Sequence, residues 1–212
     1  AFLTDYQHAA YAQQYRDFVE QVRMAESNAV GQKPLRVTET VARYLFKLMA
    51  YKDEYEVARL HAQTAFKAKI DGMFEGDYKI KFHLAPPLFA KRDAEGRLIK
   101  QEFGPWMMKA FGVLAKFKFL RGSALDVFGY TEERRTERAL IAQYRETVAG
   151  LLPKLTEVNQ AKVVAIASIP EDIRGFGHVK EKHLKAAKEK EAALLNAFDA
   201  PNAPVTSSQH AA

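Results

Sequence analysis

Residues 4–25 read TDYQHAAYAQQYRDFVEQVRMA, and their spacing decides the fold. Tyr11, Tyr15, Phe18, Val22 and Ala25 recur at 4-3-4-3 intervals, the apolar seam of an α-helix. Thr4 followed by Gln7 fits a reciprocal cap, in which each side chain satisfies the other residue's backbone N–H. Gly31 and Pro34 end the helix. The seam lasts barely two heptads, so it predicts packing within the chain rather than a long coiled coil.

The same reading extends outward. Thr38 is the expected cap of a helix carrying Val41, Leu45 and Leu48. Asp53 re-caps a helix through Val57, Leu60, Phe66 and Ile70, or the two run on continuously; periodicity leaves both open. Gly72 and Gly76 close this helical region. The period then changes to two: Tyr78, Ile80, Phe82 and Leu84 alternate with Lys79, Lys81 and His83, as in a half-buried strand. Pro86-Pro87 stops it, and Leu88–Arg92 and Arg97–Phe103 flank a turn at Asp93-Ala94-Glu95-Gly96. A β-hairpin or a small three-stranded antiparallel sheet is expected over about residues 78–103.

Gly104-Pro105 opens a helix over Trp106–Leu120, with proline in the first turn where its missing N–H costs little. Thr131, Glu132 and Glu133 start a long helix whose Ile141, Tyr144, Val148 and Leu151 share a face, and Pro153 stops it. Thr156 begins another helix, although KVVAIASI at 162–169 is β-branched enough to leave a buried strand open. Pro170 breaks that segment, and Gly175-Phe176-Gly177 turns into a last helix, His178–Phe198. The expectation is a mainly α, single domain over 1–198 with a hairpin insert, and a flexible tail over 199–212.

The 212 residues are 48% hydrophobic and 27% charged, which excludes wholesale disorder. With no cysteine, a disulfide framework, a thiolate metal site, an iron–sulfur cluster and a cysteine nucleophile within this chain are excluded. The chain opens on Ala1 rather than Met, with no signal pattern, and reads as a piece of something longer. FGPWMMKAFGVLAKFKFL at 103–120 is strongly apolar, but Lys109, Lys116 and Lys118 and its short length argue against a membrane span, which needs about 20 largely uncharged residues. No membrane association is expected.

The net charge of +6 is concentrated. Ten basic residues (Lys79, Lys81, Lys91, Arg92, Arg97, Lys100, Lys109, Lys116, Lys118 and Arg121) face only Asp93, Glu95 and Glu102, so this segment carries +7 and the rest −1. Such a patch suits an anionic partner, whether a phosphate-bearing ligand, nucleic acid or the acidic face of another domain or protein; the alternative is an ordinary solvated surface. Nucleic-acid signatures are missing and the aromatics fall at core spacings, so nucleic acid is not the expected partner.

Catalytic patterns are sparse. His178 and His183 are five apart, not the four that would aim two imidazoles at one metal. His83 reads as a polar-face residue of the strand, and His8 and His61 as ordinary helix residues. Gly175-Phe176-Gly177 precedes a helix, so its free N–H groups, with Arg174 and Lys180, form a candidate anion site; the third glycine of a dinucleotide fingerprint is replaced by Lys180. A tight turn that sets the helix angle is the other reading. Glu132, Glu133 and Glu137 beside Arg134, Arg135 and Arg138 read as a surface ion-pair face. No catalytic or metal-binding residue is assigned.

Five strings stand together: ARYLFKLMAYKDEYEVARLH at 42–61, FEGDYKIKFHLAPPLFAKRD at 74–93, FGPWM at 103–107, LRGSALDVFGYTEERRTERALIAQY at 120–144 and IPEDIRGFGHVKE at 169–181. Over about Phe2–Phe198 the chain resembles the C-terminal domain of the bacterial single-chain indolepyruvate ferredoxin oxidoreductases. The resemblance implies a cytoplasmic parent enzyme that oxidatively decarboxylates aryl-2-oxo acids with coenzyme A to aryl-acetyl-CoA and reduces ferredoxin. It implies thiamine diphosphate, Mg and iron–sulfur clusters in upstream catalytic domains, none of them in this piece. The domain itself is then an accessory one for packing, assembly or docking. Its implied partners are the upstream domains, a second protomer in a homodimer, and an acidic electron carrier or coenzyme A at the basic 79–121 segment. A stand-alone basic binding module is the alternative.

Overall fold

The computed structural model describes residues 1–63, 65–85 and 99–200. The chain is mainly helical, with a small two-stranded antiparallel sheet among the described residues, as the periodicity predicts. It divides into two compact units: Ala1–Asp17 with Lys47–Gln143, and Phe18–Phe46 with the chain from Tyr144 on.

In the first unit, α1 (Phe2–Tyr6) leads into α2 (Ala9–Val30). Thr4 does not cap α2, because it already lies inside α1; the His8 ring takes that role, its Nδ1 accepting the Tyr11 N–H at 3.1 Å. The end of α3 (Arg36–Met49) is followed by α4 (Glu54–Ala62), a separate helix capped by Asp53, whose carboxylate accepts the Glu56 N–H at 2.8 Å. Next come α5 (Phe66–Asp71), β1 (Phe82–Leu84) and β2 (Gln101–Phe103). The two strands are antiparallel, with Phe82 opposite Phe103 and Leu84 opposite Gln101.

The sheet is shorter than the alternation from Tyr78 predicts. The Tyr78 hydroxyl is held by Asp71 of α5 and its ring lies against Phe74, so Tyr78 is engaged by the end of α5 and the chain just after it, while Ile80 packs with Phe82 on the core. The Pro86-Pro87 stop, the Leu88–Arg92 strand and the Asp93–Gly96 turn lie outside the described residues.

The predicted Trp106–Leu120 helix is real but not uniform. It is α-helical as α6 (Met107–Leu114) and tightens to three residues per turn over Ala115–Leu120. Its inner face carries Met107, Phe111 and Ala115, which cluster with Ala58 of α4 and Phe82 of β1. His61 of α4 joins this core through its ring, 4.8 Å from Phe66 and 5.0 Å from Phe111. Its Nδ1 lies 2.7 Å from the Val57 carbonyl, which can only accept, so the proton sits on that nitrogen.

The second unit contains the remainder of α2, α3 and α7 (Glu132–Leu151), together with α8 (Gln160–Ala167) and α9 (His178–Asp199). The 162–169 stretch is helical through Ala167, not a strand, and its Val163 and Ile166 are buried. Thr156 and Asn159 set up this helix reciprocally, each side chain accepting the other's backbone N–H. Tyr144 donates to the Ala167 carbonyl at 2.9 Å. Asp199, where the tail is expected to begin, instead ends α9 and pairs with Lys154 at 2.6 Å; residues 201–212 lie outside the described ones.

Thr38 does not cap α3 either. The helix starts two residues earlier, and its first turn is held by Glu26 of α2, which is wholly buried. The Glu26 carboxylate accepts the Val37 N–H at 2.8 Å, the Thr38 N–H at 2.7 Å, the Thr38 hydroxyl at 2.7 Å and the Gln160 amide at 2.8 Å. An anion at a helix N-terminus satisfies orphan donors and faces the positive end of the dipole.

Candidate functional site

The basic 79–121 segment does not act as one patch. Arg121 is buried in the first unit, where its Nε and Nη2 fork onto Asp53 at 2.5 and 2.8 Å and its Nη1 donates to the Tyr6 carbonyl at 2.5 Å. The guanidinium also lies 3.7 Å from the centroid of the Tyr6 ring. Burial alone would lower the Arg121 pKa, but the Asp53 hydrogen bonds and charge outweigh it and hold the group more firmly protonated. Lys81 is paired with Glu102 at 2.8 Å across from His83, which is exposed. Lys118 donates to the Asp5 carbonyl. Lys91, Arg92 and Arg97 lie outside the described residues, leaving Lys79, Lys100, Lys109 and Lys116 as its exposed lysines without an ion-pair partner among the described ones.

Around Arg121 the polar groups interlock. The Tyr6 hydroxyl donates to the Tyr51 carbonyl at 2.8 Å and the Tyr11 hydroxyl to the Met49 carbonyl at 2.9 Å. Asp126, also buried, accepts the Tyr55 hydroxyl at 3.2 Å and the N–H groups of Gly122 and Gly129 at 2.7 and 3.0 Å. The expected surface ion-pair face of α7 is partly internal: Arg134 and Glu137 are buried, and Arg134 forks onto Glu54 at 3.2 Å through both Nε and Nη2. Arg138 donates to the Gly129 carbonyl at 2.7 Å, while its Nη1 is a buried donor with no partner among the described residues.

Burial pushes the phenols of this network up, Tyr51 to about 12 and Tyr6 beyond it, and does the same to Tyr144 in the second unit. An unfolded chain releases these protons near pH 10, whereas the folded chain keeps them. The stability they contribute is therefore complete below pH 10 and is lost as the pH rises from there through the folded values. A decline of up to about 1.4 kcal/mol per pH unit for each deeply buried tyrosine is expected. Alkaline denaturant titrations should show it, with a shallower decline for Tyr6→Phe, and the phenolate absorbance of Tyr6 and Tyr144 should appear only with unfolding.

The candidate anion site at the start of α9 is differently built than its sequence implies. Arg174 is engaged with Glu171, through Nε to the backbone carbonyl at 2.9 Å and Nη2 to the carboxylate at 3.3 Å. Its own carbonyl accepts His183 Nδ1 at 2.8 Å. Gly175 has φ +91°, and a Cβ there would meet Val179 at 2.7 Å; Gly177, at φ +53°, has open space around it. Lys180 is half-buried. Both glycines are accounted for by a turn that lays Val179 against the backbone. Among the described residues no three His, Asp or Glu side chains gather as a metal-ligand group, and no helix is long and apolar enough to cross a membrane.

The most conspicuous free surface is the outer side of α6. Trp106, Val113 and Phe119 are 59%, 58% and 57% exposed, although their neighbours Met107, Phe111 and Ala115 anchor the same helix in the core. Trp106 is braced edge-on by Phe103, ring centroids 6.0 Å apart. This surface was hidden in the sequence because a run apolar on both sides of a helix has no visible outer face.

These features define a helical domain with an internal bracing network and an apolar–cationic outer helix. The chain belongs to the family of unknown function DUF6537, whose sequence profile matches residues 1–193. None of the curated proteins and none of the solved structures matches it.

Proposed function

We propose that this chain is an accessory, non-catalytic domain of a larger cytoplasmic oxidoreductase of the indolepyruvate ferredoxin type, serving assembly or docking. The resemblance of its sequence strings motivates the parent, and one structural observation carries the accessory role. The buried charged groups, such as Glu26, Asp53, Asp126, Arg121 and Arg134, are spent on bracing the chain, while Lys109 and Lys116 sit on the surface beside the exposed Trp106 and Phe119. The residues present do not fit the cofactors of such an enzyme. A cluster needs thiolates, and the chain has no cysteine. Glu26, Asp53 and Asp126 are already engaged by an arginine, a tyrosine or backbone N–H groups rather than turned toward a magnesium ion. Thiamine, metal and clusters are therefore assigned to other domains of the parent, and no catalytic step to this one.

The test is the native polypeptide, captured from source cells with an antibody to this domain. A chain several times 24.0 kDa with iron–sulfur absorbance is the expected result. A free chain of 24.0 kDa overturns it and favours the second reading, a stand-alone binding module for an anionic partner, which the exposed Lys79, Lys100, Lys109 and Lys116 support.

A further inference from the structure

We propose that the outer face of α6 and the turn after it is a docking site for an acidic amphipathic helix of a partner protein. Trp106, Lys109, Val113, Lys116 and Phe119 are all exposed and follow one another at 3-4-3-3 spacing. The final step of three matches the tighter winding over Ala115–Leu120, so all five share one row despite the change of helix type. Apolar groups and lysines thus alternate along a single line. Lys109 and Lys116 have no carboxylate partner among the described residues.

That alternation selects the occupant by charge complementarity. A helix with carboxylates between its apolar residues pairs with both lysines while its apolar groups cover Trp106, Val113 and Phe119. A second copy of this face would set lysine against lysine about a two-fold axis. A membrane surface favours helices whose charges are segregated to the opposite side. Here the charges interrupt the apolar row. The row is also rigidly presented, since Met107, Phe111 and Ala115 fix the inner side of the same helix. An exposed Trp on a fixed helix is the type of residue that dominates interface energy.

The proposal deepens the accessory-domain reading by naming the partner's chemistry, and its test stands apart from that reading. Trp106 is the sole tryptophan, so its emission reports occupancy of the face directly. The full chain is titrated with a helical peptide carrying leucine and glutamate in alternation at 3-4 spacing along one face. A version with glutamine in place of every glutamate, and vesicles of equal phosphatidylserine and phosphatidylcholine, serve as the other probes.

The expected result is a blue shift with the glutamate peptide only, with binding that weakens steeply from about 0.01 M to about 0.15 M salt. The Lys109→Glu, Lys116→Glu double variant should bind about tenfold more weakly with an unchanged melting temperature, because both side chains are exposed. An equal response to the glutamine peptide, an equal or stronger response to vesicles, a shift of the chain alone accompanied by a doubled mass, or no shift with any probe overturns the proposal. A chain that binds the peptide but is found free at 24.0 kDa keeps the docking site and loses the oxidoreductase parent.

Discussion

Asp53→Ala is expected to destabilise the first unit by about 3–5 kcal/mol, because it leaves the Arg121 guanidinium buried without its counter-charge. The pair is nearly sealed, the side chains being 2% and 3% exposed, so water does not replace the lost carboxylate. Two effects are combined in this one substitution, since Asp53 also caps α4 through the Glu56 N–H. Asp53→Asn separates them. Asparagine is as good a cap as aspartate but carries no charge for Arg121, and losing a cap alone costs only about 1 kcal/mol. If the ion pair dominates, the asparagine variant loses most of what the alanine variant loses in denaturant unfolding. A near-wild-type Asp53→Asn would mean that the cap and not the pair holds this region. Adding Arg121→Met to Asp53→Ala should recover part of the loss, as the stranded charge is removed and an apolar chain fills its place. Incomplete recovery is expected, because the Tyr6 carbonyl then loses its donor.

The consequence reaches the outer helix. α4 carries Ala58 and His61 into the cluster that anchors Phe111 of α6, so loosening α4 loosens the base on which Trp106 is displayed. The steady-state anisotropy of Trp106 emission should therefore fall in Asp53→Ala.

How far these features could be read from the sequence depends on their range along the chain. α2 and α7 are legible because each repeats an apolar face locally and meets a breaker, at Gly31 and Pro153, and the start of α9 is legible because Gly175-Phe176-Gly177 turns into it. The hairpin is legible at Phe82 and Leu84 for the same reason, though its extent was not, since Tyr78 answers to Asp71 and not to a strand. Asp53 is visible as a cap because capping is local. Arg121, sixty-eight residues further on, looks like any basic residue in a basic segment, and nothing nearby marks it as buried. Arg134 is similar: it stays within 3.8 Å of its neighbour Glu133, but its hydrogen-bonded fork is onto Glu54, eighty residues away. Local pairing rules assign charges to the nearest opposite sign, and burial overrules them.

Glu26 is the extreme case: it stands four residues after Val22, on the buried face of α2, while the donors it serves lie on α3 and α8, and replacing it carries the second large prediction. Glu26→Ala should cost the second unit about 3–4 kcal/mol, because the Val37 and Thr38 N–H groups, the Thr38 hydroxyl and the Gln160 amide lose a shared, fully buried acceptor. The losses are not additive: in Glu26→Ala the Gln160 amide keeps the Pro34 carbonyl at 2.9 Å. Gln160→Ala removes both of that amide's bonds but leaves Glu26 its three donors on α3 and an exposed Pro34 carbonyl to water, and should cost only about 1 kcal/mol. Glu26→Gln keeps the shape and one oxygen but turns an NH2 toward backbone donors, which places it between these two. The order alanine, then glutamine, then the Gln160 variant is the signature of a charged cap delivered from a neighbouring helix, read by denaturant unfolding of each. A Glu26→Ala variant within about 1 kcal/mol of the parent would mean that water enters and satisfies the α3 terminus. In that event the start of α3 is open to solvent and Glu26 is not its brace.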